Sequence, residues 1–440
     1  MKKILLGLFL IGCSVKLFAQ ETVYPAPKQV GTTVITNATV HVGNGQVLTN
    51  ASIEIRDGKI TQVGSNITPA AGATVVNAQG KHVYPGLILP ISNLGLVDVS
   101  SVRATSDAQE IGDMNPNIRS IVAYNTDSRV INTLRSNGIL LANIVPEGGL
   151  LSGASSVVQL DAWNWEDAAY KTDAGIHFRM PSLMARPRFG GFGGGGGGPQ
   201  QPQTDPVKEG LDRVDQIKSF FHEAKAYNSE ASHALTNLKF EAVKGLFDKK
   251  QRLYVHASTV KQMLIALEFV KEFNFDVVIV GGTDAWQIAD LLKQNNVSVI
   301  LNQPHSLPTL EDDDIDQPYK NAAMLQKAGV TFAISDDDGQ TRGRNLAFNA
   351  GTAATYGLSK EEALQAITLN AAKVLGVADK TGSIEVGKDA NIVISEGDLL
   401  DMRTSNVTDA FIQGRKIDLT DKHKLLNERY KKKYEKQKPF

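Results

Sequence analysis

Between Leu253 and Ile334 short β-type runs alternate with helix-like stretches, and this alternation restricts the fold more than any other feature. Leu253-Tyr254-Val255-His256 leads into a helical stretch from Thr259 to Phe273, with Leu264, Leu267 and Val270 on one face. Val277-Val278-Ile279-Val280 leads to a second helix opening near Thr283-Asp284, both good N-cap types. Val297-Ser298-Val299-Ile300 and Thr331-Phe332-Ala333-Ile334 read as further buried strands. Repeated units of this size imply a parallel sheet, open or closed, covered by helices. The helix from Lys360 to Leu375 is the clearest in the chain. Ser359 and Glu362 form a capping box, Ala363, Leu364, Ile367, Ala371 and Val374 make a stripe, and Gly376 ends it.

A different texture flanks this region. From Thr32 to Tyr84 short strand-like runs are punctuated by Asn44-Gly45 and Asp57-Gly58 turns, and strand patterns return at Ala390–Ile394 and Val407–Ile412. The first unit is too small to stand comfortably alone, so both ends are expected to share one composite sheet. Arg186 to Pro206 is a low-complexity insert with glycine from Gly193 through Gly198; it has little to bury and is expected to be mobile. It lacks the Lys-Ser/Thr of a phosphate-binding loop, which excludes that reading.

Composition narrows the function classes. With 46 basic and 47 acidic residues, the chain lacks the basic balance of a nucleic-acid binder. A single cysteine excludes a disulfide scaffold and a cysteine-based zinc site. Residues 1–19 read as a secretory signal peptide, with Lys2 and Lys3 before an apolar run and Ala19-Gln20 at the cleavage site. A periplasmic or secreted protein is expected. Leu10-Ile11-Gly12-Cys13 also resembles a lipoprotein box, so a membrane contact is expected only if Cys13 is lipidated. Residues 419–440 form a basic tail, read as a solvated end or as contact with an anionic surface.

Val83-Tyr84-Pro85-Gly86-Leu87-Ile88 precedes the strand–helix region, and Ile367-Thr368-Leu369-Asn370-Ala371-Ala372-Lys373-Val374-Leu375-Gly376 follows it. Thr381-Gly382-Ser383-Ile384-Glu385-Val386-Gly387-Lys388-Asp389-Ala390 completes the pattern. Over about residues 30–416 the chain resembles the amidohydrolase superfamily, and within it the imidazolonepropionase-like branch; Ala371 stands where the family pattern has proline. The resemblance implies an α/β fold, a (β/α)8 TIM-like barrel at 85–384, plus a small composite β-sandwich domain from 28–84 and 385–418. It also implies a hydrolase acting on C–N bonds, of non-peptide or cyclic amides or of dipeptides, with one or two divalent metals such as zinc activating water.

The family's ligands are a His-x-His pair on the first strand, a histidine after each of the fifth and sixth, and an aspartate after the eighth. Some members add a carboxylated lysine on the fourth. Here Leu89, Ile91 and Asn93 replace the first-strand aspartate and histidines, and Gly281 replaces the sixth-strand histidine. Isoleucine cannot ligate a metal, and a neutral asparagine is a weak oxygen donor. His256 survives on the fifth strand, and Asp337 or Asp336 stands at the eighth. Catalysis would rest on Asp337, Asp336 and His256, and any metal on His256 and Asp337. No lysine near Leu238-Lys239-Phe240, the expected fourth-strand region, matches the family. His305 is the nearby substitute ligand, and His41, His82, His177, His222, His233 and His423 carry no signal.

The bland readings are a hydrogen-bonded relic for His256, an exposed loop residue for His305, and helix capping or pairing with Arg342 and Arg344 for the aspartates. Glu147, beside Gly148 and Gly149 at a strand end, would orient an amine or serve as general acid/base; otherwise it is a solvated glutamate in a tight βα turn. Gly281, Gly282 and Thr283 before a helix offer backbone N–H groups to an anion. The partner is a small-molecule substrate or ligand. The competing expectation is a non-catalytic relative that binds a ligand or pairs with an active amidohydrolase paralogue.

Overall fold

The computed structural model describes residues 23–65, 67–184, 205–336 and 342–435. The signal segment with Cys13, most of the glycine-rich insert, and Asp337 and Asp338 lie outside these residues.

Five strands come first: β1 (Thr32–His41), β2 (Val47–Arg56), β3 (Lys59–Gly64), β4 (Thr74–Asn77) and β5 (His82–Pro85). The barrel strands follow: β6 (Leu87–Ser92), β7 (Ile139–Ile144), β8 (Leu151–Gln159), β9 (Ala169–Arg179), β10 (Arg252–Ala257), β11 (Val277–Gly281), β12 (Ser298–Leu301) and β13 (Phe332–Ile334). The last strands are β14 (Ile392–Ser395), β15 (Val407–Ile412) and β16 (Arg415–Lys416). Strands from both chain ends form one hydrogen-bonded sheet in the order β16-β15-β14-β5-β1-β2-β3, with β4 and β5 sharing one edge of β1. Ile35, Val40, Ile53, Ile55, Ile392 and Phe411 fill its core. Strand β1 is continuous but irregular around Asn37, which takes φ +61°.

The barrel sheet runs in sequence order from β6 to β13. Between β13 and β6 the link is a side chain, Ser335 Oγ donating to the Ile91 carbonyl at 3.4 Å. The architecture is the expected TIM-like one, with a correction: β8 is antiparallel to both β7 and β9. The segment Val145–Leu150 is therefore a strand-to-strand connection at the barrel mouth and not a βα turn. Lys239 also moves: Leu238–Phe247 is a helix, and the fourth strand is β9.

Alternation along β9 sets the site. Phe178 points outward, its ring 5.6 Å from Phe269, which in turn lies 6.0 Å from Phe221 on the covering helix Pro206–Ser229. His177 and Arg179 therefore face the other way, into the barrel. Helix Val260–Phe273 buries Met263, Ala266, Leu267, Phe269 and Phe273, whereas Leu264, expected inside, is exposed. Within the basic tail, Lys422–Glu435 is a largely exposed helix. Among the described residues no helix is long and apolar enough to cross a membrane.

Candidate functional site

The mouth is built by the ends of β6, β7, β9 and β10 and the start of β8. His256, near the end of β10, pairs in register with Arg179, and His177 with Tyr254 one layer deeper. His177 is fully buried, its ring stacked on Tyr254 at 4.7 Å, and its Nδ1 lies 2.9 Å from His256 Nε2. Burial, then His256 and Arg179, push the His177 imidazole well below its ordinary pKa. Burial and the Arg179 guanidinium likewise push His256 down to about 3. Both rings are neutral near pH 7.

Arg179 is half-buried. Its Nε donates to Ser152 Oγ at 3.2 Å and one terminal nitrogen to the Pro146 carbonyl at 3.4 Å. Burial lowers its pKa, partly offset by the negative charge of Glu147. Glu147 accepts from Asn93 Nδ2 at 3.0 Å, while Asn93 Oδ1 is buried without a hydrogen-bond partner. The mouth thus combines two neutral imidazoles, a guanidinium, a carboxylate and a carboxamide. Such a set can bind a carboxylate or polarised carbonyl and exchange a proton.

The structure brings Asn93 and Glu147 together and joins His256 to two residues that sequence reasoning missed, His177 and Arg179. The signal was present: in Gly175-Ile176-His177-Phe178-Arg179 polar residues recur at every second position beside buried apolar ones. Asp336, almost fully buried, accepts from Asn349 Nδ2 at 3.1 Å and lies 3.8 Å from Arg342 Nε, as the structural reading of that aspartate expects. At the anion cradle expected from Gly281, Gly282 and Thr283, the Gly282 N–H is already taken. Gly282, Asp284 and Ala285 spend their N–H groups on the carbonyls of Ala257, Ser258 and Gly282, and only a short 3-10 turn follows. His305 is exposed, 3.4 Å from Thr352 Oγ1 and edge-on to Tyr319, and makes no bond to His256.

A family-type metal can be tested against these side chains. His256 Nε2 is taken up by His177 Nδ1 at 2.9 Å, and a guanidinium occupies the neighbouring strand at the same level. Gly281 has φ +104°, a backbone conformation that a histidine there would resist. Among the described residues no three His, Cys, Asp or Glu side chains converge as a metal cage. The described residues do not fit the ion.

A family model described as "Amidohydrolase family" matches residues 198–417, half of the chain. An imidazolonepropionase of Flavobacterium psychrophilum is 34% identical over 193 residues, 39% of this chain and 46% of that protein. One of Thermoplasma volcanium is 41% identical over 86 residues, 19% of this chain and 21% of that protein. These matches span from a fifth to just under half of the relatives' own lengths. Among solved structures, an amidohydrolase from Thermotoga maritima MSB8 superposes with a TM-score of 0.74 at 25% identity, covering 88% of this chain and 99% of that one. A prolidase complexed with N-methylphosphonate-L-proline shares the fold at a TM-score of 0.55 and 15% identity, covering 88% of this chain and all of that one.

Proposed function

This chain belongs to the amidohydrolase family, and on that premise we propose that it is an exported hydrolase of small amides whose Glu147 and Arg179 replace a metal centre. The observation that carries the proposal is the register of Arg179 against His256, which sets a fixed cation at the mouth where the family would hold a metal ion. The names of its relatives, imidazolonepropionase and prolidase, support a substrate with a ring or imide-type C–N bond. The charged segment and apolar run at residues 1–19 support export.

In the reaction, Glu147 takes a proton from water as the water oxygen bonds to the carbonyl carbon. Arg179 N–H groups stabilise the oxyanion that forms. As the oxyanion collapses and the C–N bond breaks, Glu147 returns the proton to the leaving nitrogen. General base and oxyanion donor are each worth roughly a hundredfold or more. The test uses protein dialysed against a chelator and assayed on N-acyl amino acids, dipeptides and hydantoins. Turnover that survives chelation and falls at least about a hundredfold in Glu147→Gln and Arg179→Gln is expected. Turnover abolished by the chelator and restored by zinc overturns the proposal.

The second reading is a non-catalytic ligand binder or partner of an active paralogue. It is favoured by the lack of a metal cage among the described residues, and saturable binding of one of these amides without turnover selects it.

A further inference from the structure

At the end of the barrel opposite the mouth, the chain leaves a groove of about 660 Å³. Its position follows from β8, where Ser152 meets Arg179 at the mouth and Gln159, at the far end, pairs with Leu141 early in β7. Gln159 lines the groove together with the Asp57-Gly58 turn and Gln413 of the composite sheet. Two charge pairs in its wall are closed: Asp161 with Arg415 at 2.8 Å and Asp389 with Lys59 at 3.0 Å. The edge differs. Trp163 lines the groove and is 64% exposed, and Tyr24, 68% exposed, lies 5.9 Å away at a tilt of 38°. Two large rings left side by side in water mark a contact surface more often than a lone exposed ring does. Both are held in place. Thr126 Oγ1 donates to the Trp163 carbonyl at 3.2 Å, Asp167 N–H to Asn164 Oδ1 at 2.9 Å, and Ala26 N–H to Asp161 at 2.9 Å.

Lys28, Asp57, Asp167 and Gln413 also line the groove, and among the described residues their side chains make no hydrogen bond or ion pair. Two carboxylates disfavour an anion, and the ammonium disfavours a cation. The mixed set suits a neutral ligand whose hydroxyls both donate and accept, while the paired rings suit an apolar C–H face. A sugar ring offers both, and the volume lies in the range of small-molecule pockets. We propose that this groove is a carbohydrate-binding site, with a neutral sugar ring on Trp163 and Tyr24 and its hydroxyls bonded to the carboxylates and the ammonium. The site stands apart from the mouth and does not rest on the amide-hydrolase reading. It would hold the chain on a glycan while leaving the mouth open.

The probes are cellopentaose, maltopentaose and N-acetylated chitopentaose, neutral sugars that differ in linkage and substituents, titrated into the whole protein by calorimetry. Saturable binding of at least one is expected. Trp163→Ala is expected to weaken that binding by about tenfold, Tyr24→Ala to weaken it as well, and Trp163→Phe, which keeps a ring, to retain most of it. Both rings are exposed, so neither loss opens the core. Glu147→Gln, at the mouth, is expected to leave sugar binding unchanged, which separates this site from the amide chemistry. No saturable binding of any of the three sugars, or equal affinity in Trp163→Ala, overturns the proposal. Glycyl-proline and tetramethylammonium are the controls for a zwitterion and a cation. Binding of either that exceeds every sugar's and is lost in Trp163→Ala overturns the assignment to a neutral sugar.

Discussion

Placing a guanidinium one strand away from a partly desolvated imidazole weakens the imidazole's hold on protons and on metal cations together. Burial first and Arg179 after it do this to His256, and the His177–His256 contact ties the pair together. The pH dependence follows. The unfolded chain regains an ordinary histidine pKa of 6.5, whereas native His256 stays neutral down to about 3. Above pH 6.5 both states are neutral and the pair has no effect. As pH falls below 6.5 the unfolded state binds more protons, and stability is lost by up to about 1.4 kcal/mol per pH unit for each imidazole. Thermal unfolding between pH 7 and pH 4 should therefore show a steeper loss in the native sequence than in His256→Gln; parallel curves contradict this. A second prediction concerns Gly281. Gly281→His, which restores the family residue, is expected to cost about 1–3 kcal/mol in urea unfolding because φ is +104°, and to gain no zinc affinity by calorimetry. His256 was legible from the sequence because it ends an evident strand. Arg179 and His177 were hidden because the fourth strand was sought at Leu238, where Phe240, Val243 and Leu246 pack as a helix.

At the scale of elements, local signals were read well wherever local physics decides the outcome. Ser359 and Glu362 form the expected capping box, with Glu362 N–H donating to Ser359 Oγ at 3.2 Å and Ser359 N–H to Glu362 Oε2 at 2.7 Å. Ser359→Ala is expected to lower stability by about 1 kcal/mol, checked by urea denaturation, and a change below the scatter of the measurement refutes that value. The continuous helix expected to Leu375 instead breaks at Ile367-Thr368 into Lys360–Ala366 and Leu369–Leu375. The cause is tertiary: the Ile367 carbonyl accepts from Ile88 N–H of β6 at 3.0 Å, and Thr368 Oγ1 turns back to the Leu364 carbonyl at 2.7 Å. The first bond joins the break to β6 and leaves no periodic trace in the sequence, whereas the second is local to the helix. The direction of β8 was hidden for a related reason, since Leu151–Gln159 is buried throughout and reads alike either way.

For the whole molecule, the barrel and composite sheet are clamped by one buried carboxylate. Asp161 is fully shielded; it pairs with Arg135 from the barrel, with Arg415 of β16 at 2.8 Å, and accepts from Ala26 N–H at 2.9 Å. Asp161→Asn leaves two largely buried guanidinium groups without their counter-charge and is expected to cost about 3–5 kcal/mol in urea unfolding; a loss under about 1 kcal/mol would argue that the clamp is dispensable. The union of both chain ends in one sheet was legible because each end offers strands with too little partner surface of its own. This clamp was not, because Asp161, Arg135 and Arg415 lie far apart in sequence among ordinary surface-type residues. The central claim, that a guanidinium stands in for a metal ion at the mouth, is tested most directly by elemental analysis of protein produced with abundant zinc and manganese. The account expects only trace metal, unchanged in His256→Ala; near-stoichiometric metal that disappears in His256→Ala would contradict it.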